Sequence, residues 1–126
     1  MSTIDLNKDS FQAAIKASKP LIVDFWAPWC GPCRNFAPIF DEASELHDDI
    51  TFAKVNTEDQ QELATGMGIR SIPTLMVFSE QVLLFSQAGA VSASQLSELI
   101  AQIKAVDMDQ VHAEIAAQQD QADDEA

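Results

Sequence analysis

The sequence predicts an α/β domain with helices on both faces of one sheet. Three observations lead there. Short apolar runs alternate with stretches whose apolar residues recur every three or four positions, the signatures of strand and helix. Their order is strand, helix, strand, helix, strand–strand, helix, as in a sheet covered by its connections. The 126 residues, 47% of them apolar, supply material for one compact core at the commonest size of a single domain.

Residues 3 to 6 read as a short first strand. Asn7 or Asp9 then caps a helix reaching about Ala17, with Phe11, Ala14 and Ile15 as its apolar stripe, and Lys19-Pro20 ends it. Residues 21 to 27, Leu-Ile-Val-Asp-Phe-Trp-Ala, are apolar apart from one Asp and read as a central strand covered on both faces. The helix that follows runs from about Pro32 to His47, with Phe36, Ile39, Phe40, Ala43 and Leu46 inward. Pro38 lies inside it and is expected to kink it, because proline removes one backbone bond and crowds the preceding turn.

Residues 50 to 55 form a further strand. Asn56-Thr57-Glu58-Asp59 offers caps and first-turn acids for a short helix to about Thr65, stopped by Gly66 and Gly68. Residues 74 to 78 and 82 to 86 read as a hairpin through Ser79-Glu80-Gln81. That connection lacks the Gly or Asn a tight primed turn prefers, so its geometry stays open. Beyond Gly89, the residues Leu96, Leu99, Ile100, Ile103 and Val106 repeat as a core-facing stripe. Met108, Val111 and Ile115 share a face rotated from the first. Either the helix continues with its stripe turned, or a second short helix starts near Asp107 or Asp109.

Seven Lys and Arg stand against twenty Asp and Glu, a formal charge of −13. Residues 1–104 hold thirteen of the acids and all seven bases; residues 105–126 hold seven acids and no Lys or Arg. The chain therefore divides into a domain over residues 1–106 and an acidic extension over residues 107–126, partly helical or disordered, read as a solvated charged face or frayed end. The acidic balance argues against nucleic acid, whose phosphates need a basic footprint. It argues equally against an anionic membrane surface. No apolar run approaches the roughly twenty residues of a membrane span. The first residues contain no apolar core of a secretory signal, so the expected address is cytoplasmic.

Both cysteines fall in one tetrapeptide, Cys30-Gly31-Pro32-Cys33. In a reducing compartment such a pair means metal or redox chemistry more often than a stapling disulfide. Zinc needs two more ligands. No second His follows His47 at finger spacing and His112 lies in the extension, so both read as solvated helix-surface residues and no metal is expected. Met67 and Met76 read as core fillers, and no Ser or His stands in a nucleophile-elbow context.

Redox chemistry remains. A strand ending at Trp26 and a helix starting near Pro32 place Cys30 at a helix N-terminus, where unpaired N–H groups and the positive end of the macrodipole favour thiolate. That lowers its pKa below the free-thiol value of about 8.5 and makes it the nucleophile. Cys33, one turn deeper, keeps its proton until needed. Cys30 would attack a substrate disulfide; Cys33 would then attack Cys30, release the reduced substrate and leave the site oxidised. Asp24, a carboxylate in a buried strand, is costly to ionise. Placed beneath the cysteines, it would take the Cys33 proton through a water.

The run Val23-Asp24-Phe25-Trp26-Ala27-Pro28-Trp29-Cys30-Gly31-Pro32-Cys33-Arg34, followed by Ala37-Pro38, resembles the active-site segment of thioredoxins. Ala53-Lys54-Val55-Asn56, Gly68-Ile69-Arg70-Ser71-Ile72-Pro73-Thr74 and Gly89-Ala90 match further landmarks of that family in the same order. The resemblance covers residues 3–106 and leaves the acidic extension outside. It implies the thioredoxin fold, a central mixed five-stranded sheet flanked by four helices, here with a C-terminal helical acidic extension. It implies reduction of protein disulfides by dithiol–disulfide exchange, with recharging by thioredoxin reductase and NADPH, no cofactor beyond the Cys30–Cys33 disulfide, and a monomer.

The resemblance also distributes roles. Cys30, Cys33 and Asp24 are catalytic, and Lys54 lies near that Asp and tunes its proton affinity. Gly31 and Pro32 match the dipeptide of reducing members of the superfamily. Pro73 matches the family's cis-proline, whose backbone pairs with a substrate strand. Trp29, Ile72, Pro73 and Gly89 form a collar that binds substrate, whereas Trp26 reads as core packing. Two other readings stay open: a client-specific thioredoxin-like protein, with Ser71, residues 79–82 and the extension as specificity elements, and a chaperone-like binding module using the acidic extension. Insulin reduction with a reductase and NADPH separates the three, being fast for the first, slow for the second and dispensable for the third.

Overall fold

In the computed structural model, residues 2–125 are described, with side chains described through residue 119. The apolar run at residues 21–26 becomes β2 (Leu21–Trp26), the middle strand of a five-stranded sheet. Around it stand β1 (Thr3–Asp5), β3 (Thr51–Asn56), β4 (Thr74–Ser79) and β5 (Val82–Ala88), in the order β1-β3-β2-β4-β5. β2 runs parallel to β3 and antiparallel to β4, so the sheet is mixed. The helices are α1 (Lys8–Lys16), α2 (Gly31–Leu46), α3 (Gln61–Gly66), α4 (Ala93–Ala105) and α5 (Met108–Glu125).

Side chains alternate along a strand, so β2 feeds two cores. Ile22 joins Phe36 and Phe40 of α2, Phe52 of β3 and Leu96 and Ile100 of α4. Val23 and Phe25 join Phe11 of α1, Val55 and Leu63 on the opposite face. Phe11 meets Phe25 and Phe78 edge-on, with centroids 6.3 and 5.8 Å away, the arrangement the ring quadrupoles prefer. Asp24 alternates with these apolar residues and therefore lies on the α2 side of the sheet.

Two helices start on reciprocal caps. Asn7 Oδ1 accepts the Ser10 N–H and Ser10 Oγ accepts the Asn7 N–H; Ser92 and Gln95 repeat the arrangement at α4. Each satisfies backbone donors that a helix start would leave bare. Pro38 lies inside α2, whose assignment continues past it to Leu46.

Several local expectations are corrected. Leu46 is 71% exposed rather than inward, because it is the last residue of α2 and no neighbouring element covers it. Asn56 and Asp59 do not cap α3. Asn56 Oδ1 accepts the Glu58 N–H and its amide donates to Asp59 Oδ2, so these side chains close a turn and α3 starts at Gln61 without a side-chain cap. Val106 leaves the stripe as the C-cap of α4.

The two questions left open by the sequence are also answered. Glu80 and Gln81 both take left-handed φ, 49° and 69°, so the hairpin closes in a two-residue primed turn despite its side chains. A separate helix begins at Met108, with Asp107 Oδ1 accepting the Gln110 N–H at 3.2 Å. It is long rather than short and reaches Glu125. Met108, Val111 and Ile115 are half-buried on it. Among the described residues no helix is long and apolar enough to cross a membrane.

Candidate active site

β2 ends at Trp26, the chain crosses Ala27-Pro28-Trp29, and α2 begins at Gly31. Pro32 occupies its first turn, where a missing N–H removes no helical bond. Cys30 is the N-cap, and its Sγ accepts the Cys33 N–H at 3.2 Å. The two cysteines are joined as a disulfide, with their Cα atoms 5.2 Å apart. Arg34 Nη1 donates to Pro28 O at 2.9 Å and ties down the loop before Cys30. Thr57 donates to Trp26 O through both its N–H (2.8 Å) and its hydroxyl (2.9 Å), which fixes the strand end.

A second loop approaches from the β4 side. The Ile72–Pro73 bond is cis, and Ile72 O lies 3.8 Å from Cys30 Sγ. Gly89, at a φ of 96° where other residues are strained, donates its N–H to Pro73 O at 2.8 Å. Ile72 and Trp26 pack against the buried group Ala27, Cys30 and Cys33. Trp29 is 67% exposed beside that group, an uncommon position for so large an apolar surface.

Asp24 and Lys54 sit further back. Asp24 is two strand residues before Trp26, 1% exposed, and opposite Lys54 in the register of β2 and β3. Its Oδ1 makes no hydrogen bond to protein. Burial pushes its pKa up from 3.8 to about 7, against the pull of Lys54 and with the help of the Asp41 charge. Lys54 Nζ lies 3.2 Å from Asp41 Oδ1, an ion pair by distance that lacks the alignment of a hydrogen bond.

Cys30, Gly31, Pro32, Cys33, Trp29, Ile72, Pro73 and Gly89 thus converge at one end of the sheet, with Asp24 and Lys54 behind them in the α2 face. Sequence reasoning missed Asp41 and the clamp made by Arg34. Asp41 carried a faint signal, as a carboxylate between the inward residues Phe40 and Ala43. Among the described residues no group of three or more His, Cys, Asp or Glu is placed to hold a metal ion.

A cysteine pair on a helix cap, faced by a cis-proline loop, is a redox geometry, and comparison with known proteins decides its family. The sequence model of thioredoxin matches residues 2–118. The chain belongs to the thioredoxin family. A putative thioredoxin 2 of Streptomyces coelicolor is 46% identical over 121 residues, spanning 96% of this chain and 90% of its own. Among solved structures, the Malassezia sympodialis thioredoxin superposes with a TM-score of 0.73 at 32% identity, covering 81% of this chain and 90% of its own. Plasmodium falciparum thioredoxin gives 0.73 at 32% identity, covering 79% and 97%.

This thioredoxin is accordingly a thiol–disulfide oxidoreductase. It acts on protein disulfides through the Cys30–Cys33 pair, whose dithiol becomes the disulfide seen here, and thioredoxin reductase with NADPH recharges it.

Proposed function

We propose that Cys30 is the attacking sulfur, Cys33 the resolving sulfur and Asp24 the proton acceptor of this exchange. The observation that carries the assignment is the cap: Cys30 Sγ receives the Cys33 N–H and lies 3.8 Å from the Ile72 carbonyl, beside the exposed Trp29. In the reduced protein those N–H groups and the helix dipole stabilise the Cys30 thiolate. It attacks one sulfur of the client disulfide, the S–S bond breaks, and the other client sulfur leaves as thiolate. Cys33 then gives its proton to the Asp24 carboxylate through a water and attacks Cys30 Sγ. The second client thiolate departs, two electrons have passed to the client, and the Cys30–Cys33 bond has formed.

The surrounding residues serve this sequence. Trp29, Ile72, Pro73 and Gly89 form the collar on which a client strand docks, Gly31 and Pro32 set the spacing of the sulfurs, and Lys54 tunes Asp24. Residues 1–106 make the working unit, and residues 107–126 extend it. The protein works as a monomer in the cytoplasm, away from membranes. Insulin reduction in the presence of NADPH and thioredoxin reductase tests the reading: turnover should be fast and lost in Cys30→Ser. Slow turnover would favour a protein dedicated to one client.

A further inference from the structure

We propose that Asp41 is a positioning residue of the redox site: its carboxylate holds the Lys54 ammonium on α2, away from Asp24, so that the buried Asp24 carboxyl keeps the proton affinity that the Cys33 proton requires. The inference rests on the reading that Asp24 accepts that proton.

β3 places Lys54 directly opposite Asp24, on the same face of the sheet. An ammonium facing an unpartnered carboxylate would ordinarily pair with it. Instead the Lys54 ion pair is made to Asp41 of α2, 3.2 Å away, and no such pair joins it to Asp24, whose Oδ1 is left without a hydrogen bond. The reason is the relative cost of desolvation. Asp41 keeps 24% of its side chain in solvent and Asp24 is 1% exposed, so an ionised Asp41 is the cheaper partner.

The groups facing Asp24 are few. Lys54 comes from β3 and Asp41 from α2; β4 sets the uncharged Leu75 opposite it; Asp5 of β1 pairs in register with Lys54 on its far side and is exposed. Asp41 acts on Asp24 twice, by drawing off the cation and by its own negative charge. Both effects raise the proton affinity of Asp24. A general base works best when its proton affinity matches the working pH. An Asp24 paired with Lys54 would be ionised throughout and too weak to accept a thiol proton. The direction in which each neighbour moves Asp24 agrees: Lys54 pulls its pKa down and Asp41 pushes it up.

The test is the titration of Asp24 in the oxidised protein, read from the carboxyl resonance of carbon-13-labelled aspartate. In Asp41→Asn the midpoint should fall by about one pH unit or more, the size of effect a cation within about 4–6 Å has on a carboxyl. Asp41→Glu should restore it. In Lys54→Met the midpoint should rise, and adding Asp41→Asn should then lower it by less than in the parent. A midpoint unmoved by Asp41→Asn, or moved equally with and without Lys54, overturns the proposal. The pH dependence of mixed-disulfide resolution in Asp41→Asn should follow the shifted midpoint. If the resonance moves and the rate profile does not, the Asp41 hold on Lys54 stands and the proton-acceptor reading of Asp24 falls.

Discussion

Cys30 caps α2 from outside its first turn and Cys33 lies within it, both buried, so on the proposed roles it is the helix's unpaired N–H groups that set the first sulfur apart. Cys30→Ser should therefore abolish turnover. Cys33→Ser should still attack and then stall, accumulating mixed disulfides on a non-reducing gel; a Cys33→Ser protein that traps nothing would exchange the two roles. Asp24 adds a pH signature. An unfolded aspartate loses its proton near 3.8, whereas the folded one holds it to about 7. Between those values the native state binds a proton that the unfolded state has lost, so this stabilisation is complete below about pH 4 and lost as pH rises through 7. Its ceiling is about 4 kcal/mol, at about 1.36 kcal/mol for each pH unit. Asp24→Asn escapes the loss. Urea unfolding should find it more stable than the parent at pH 8 by a margin about 2–3 kcal/mol wider than at pH 5. Its insulin reduction at pH 7 should be slower by about tenfold to a hundredfold. Equal margins at the two pH values would contradict the buried charge, and unchanged turnover would remove Asp24 from the mechanism.

The elements differ in how plainly their residues announce them. β2 and α2 were legible from plain patterns: every β2 residue is apolar except Asp24, and Phe36 and Phe40 repeat at helical spacing. The cap at Cys30 followed from strand and helix meeting there. What escaped depended on competition between local bonds or on contacts far along the chain. Asn56 and Asp59 have the chemistry of caps, but their side chains bond each other and the Glu58 N–H first. Leu46 fits the α2 stripe, yet covering it would need a neighbour beyond the helix end. The Lys54–Asp41 pair joins β3 to α2, and no spacing rule connects them. The β4–β5 turn is the sharpest conflict, since Glu80 and Gln81 take a left-handed backbone that costs a side-chain-bearing residue about 1 kcal/mol or more each. Both are exposed, so relief is simple. Gln81→Gly should raise stability by about 1 kcal/mol with the sheet unchanged, checked by urea midpoints; a destabilised variant would mean that Gln81 makes contacts worth more than the strain.

At the scale of the whole molecule, the redox site lies at one end of the sheet and the acidic extension begins at the other. Cys30 follows the carboxyl end of β2. The extension begins beside the other end, where Met108 shares a groove with Ser18, Pro20, Ile50, Ser79 and Glu80, and His112 Nε2 lies 3.5 Å from Glu80 Oε1. β4 runs antiparallel to β2, pairing Phe78 with Leu21, so that turn is the length of β2 away from the cysteines. Six strand residues span about 20 Å. The Debye length is about 8 Å at physiological ionic strength, so charge at the start of the extension is largely screened at that range. Removing residues 107–126 discards seven of the twenty acids and no Lys or Arg, and should still leave insulin reduction within about twofold of the full chain in physiological salt. In dilute buffer, where the Debye length grows to about 30 Å, the same comparison should separate the two proteins through their encounter rates. A several-fold loss that persists at physiological salt would place the extension inside the working unit, because screening leaves direct contact as the way a helix that begins at the far end reaches the site.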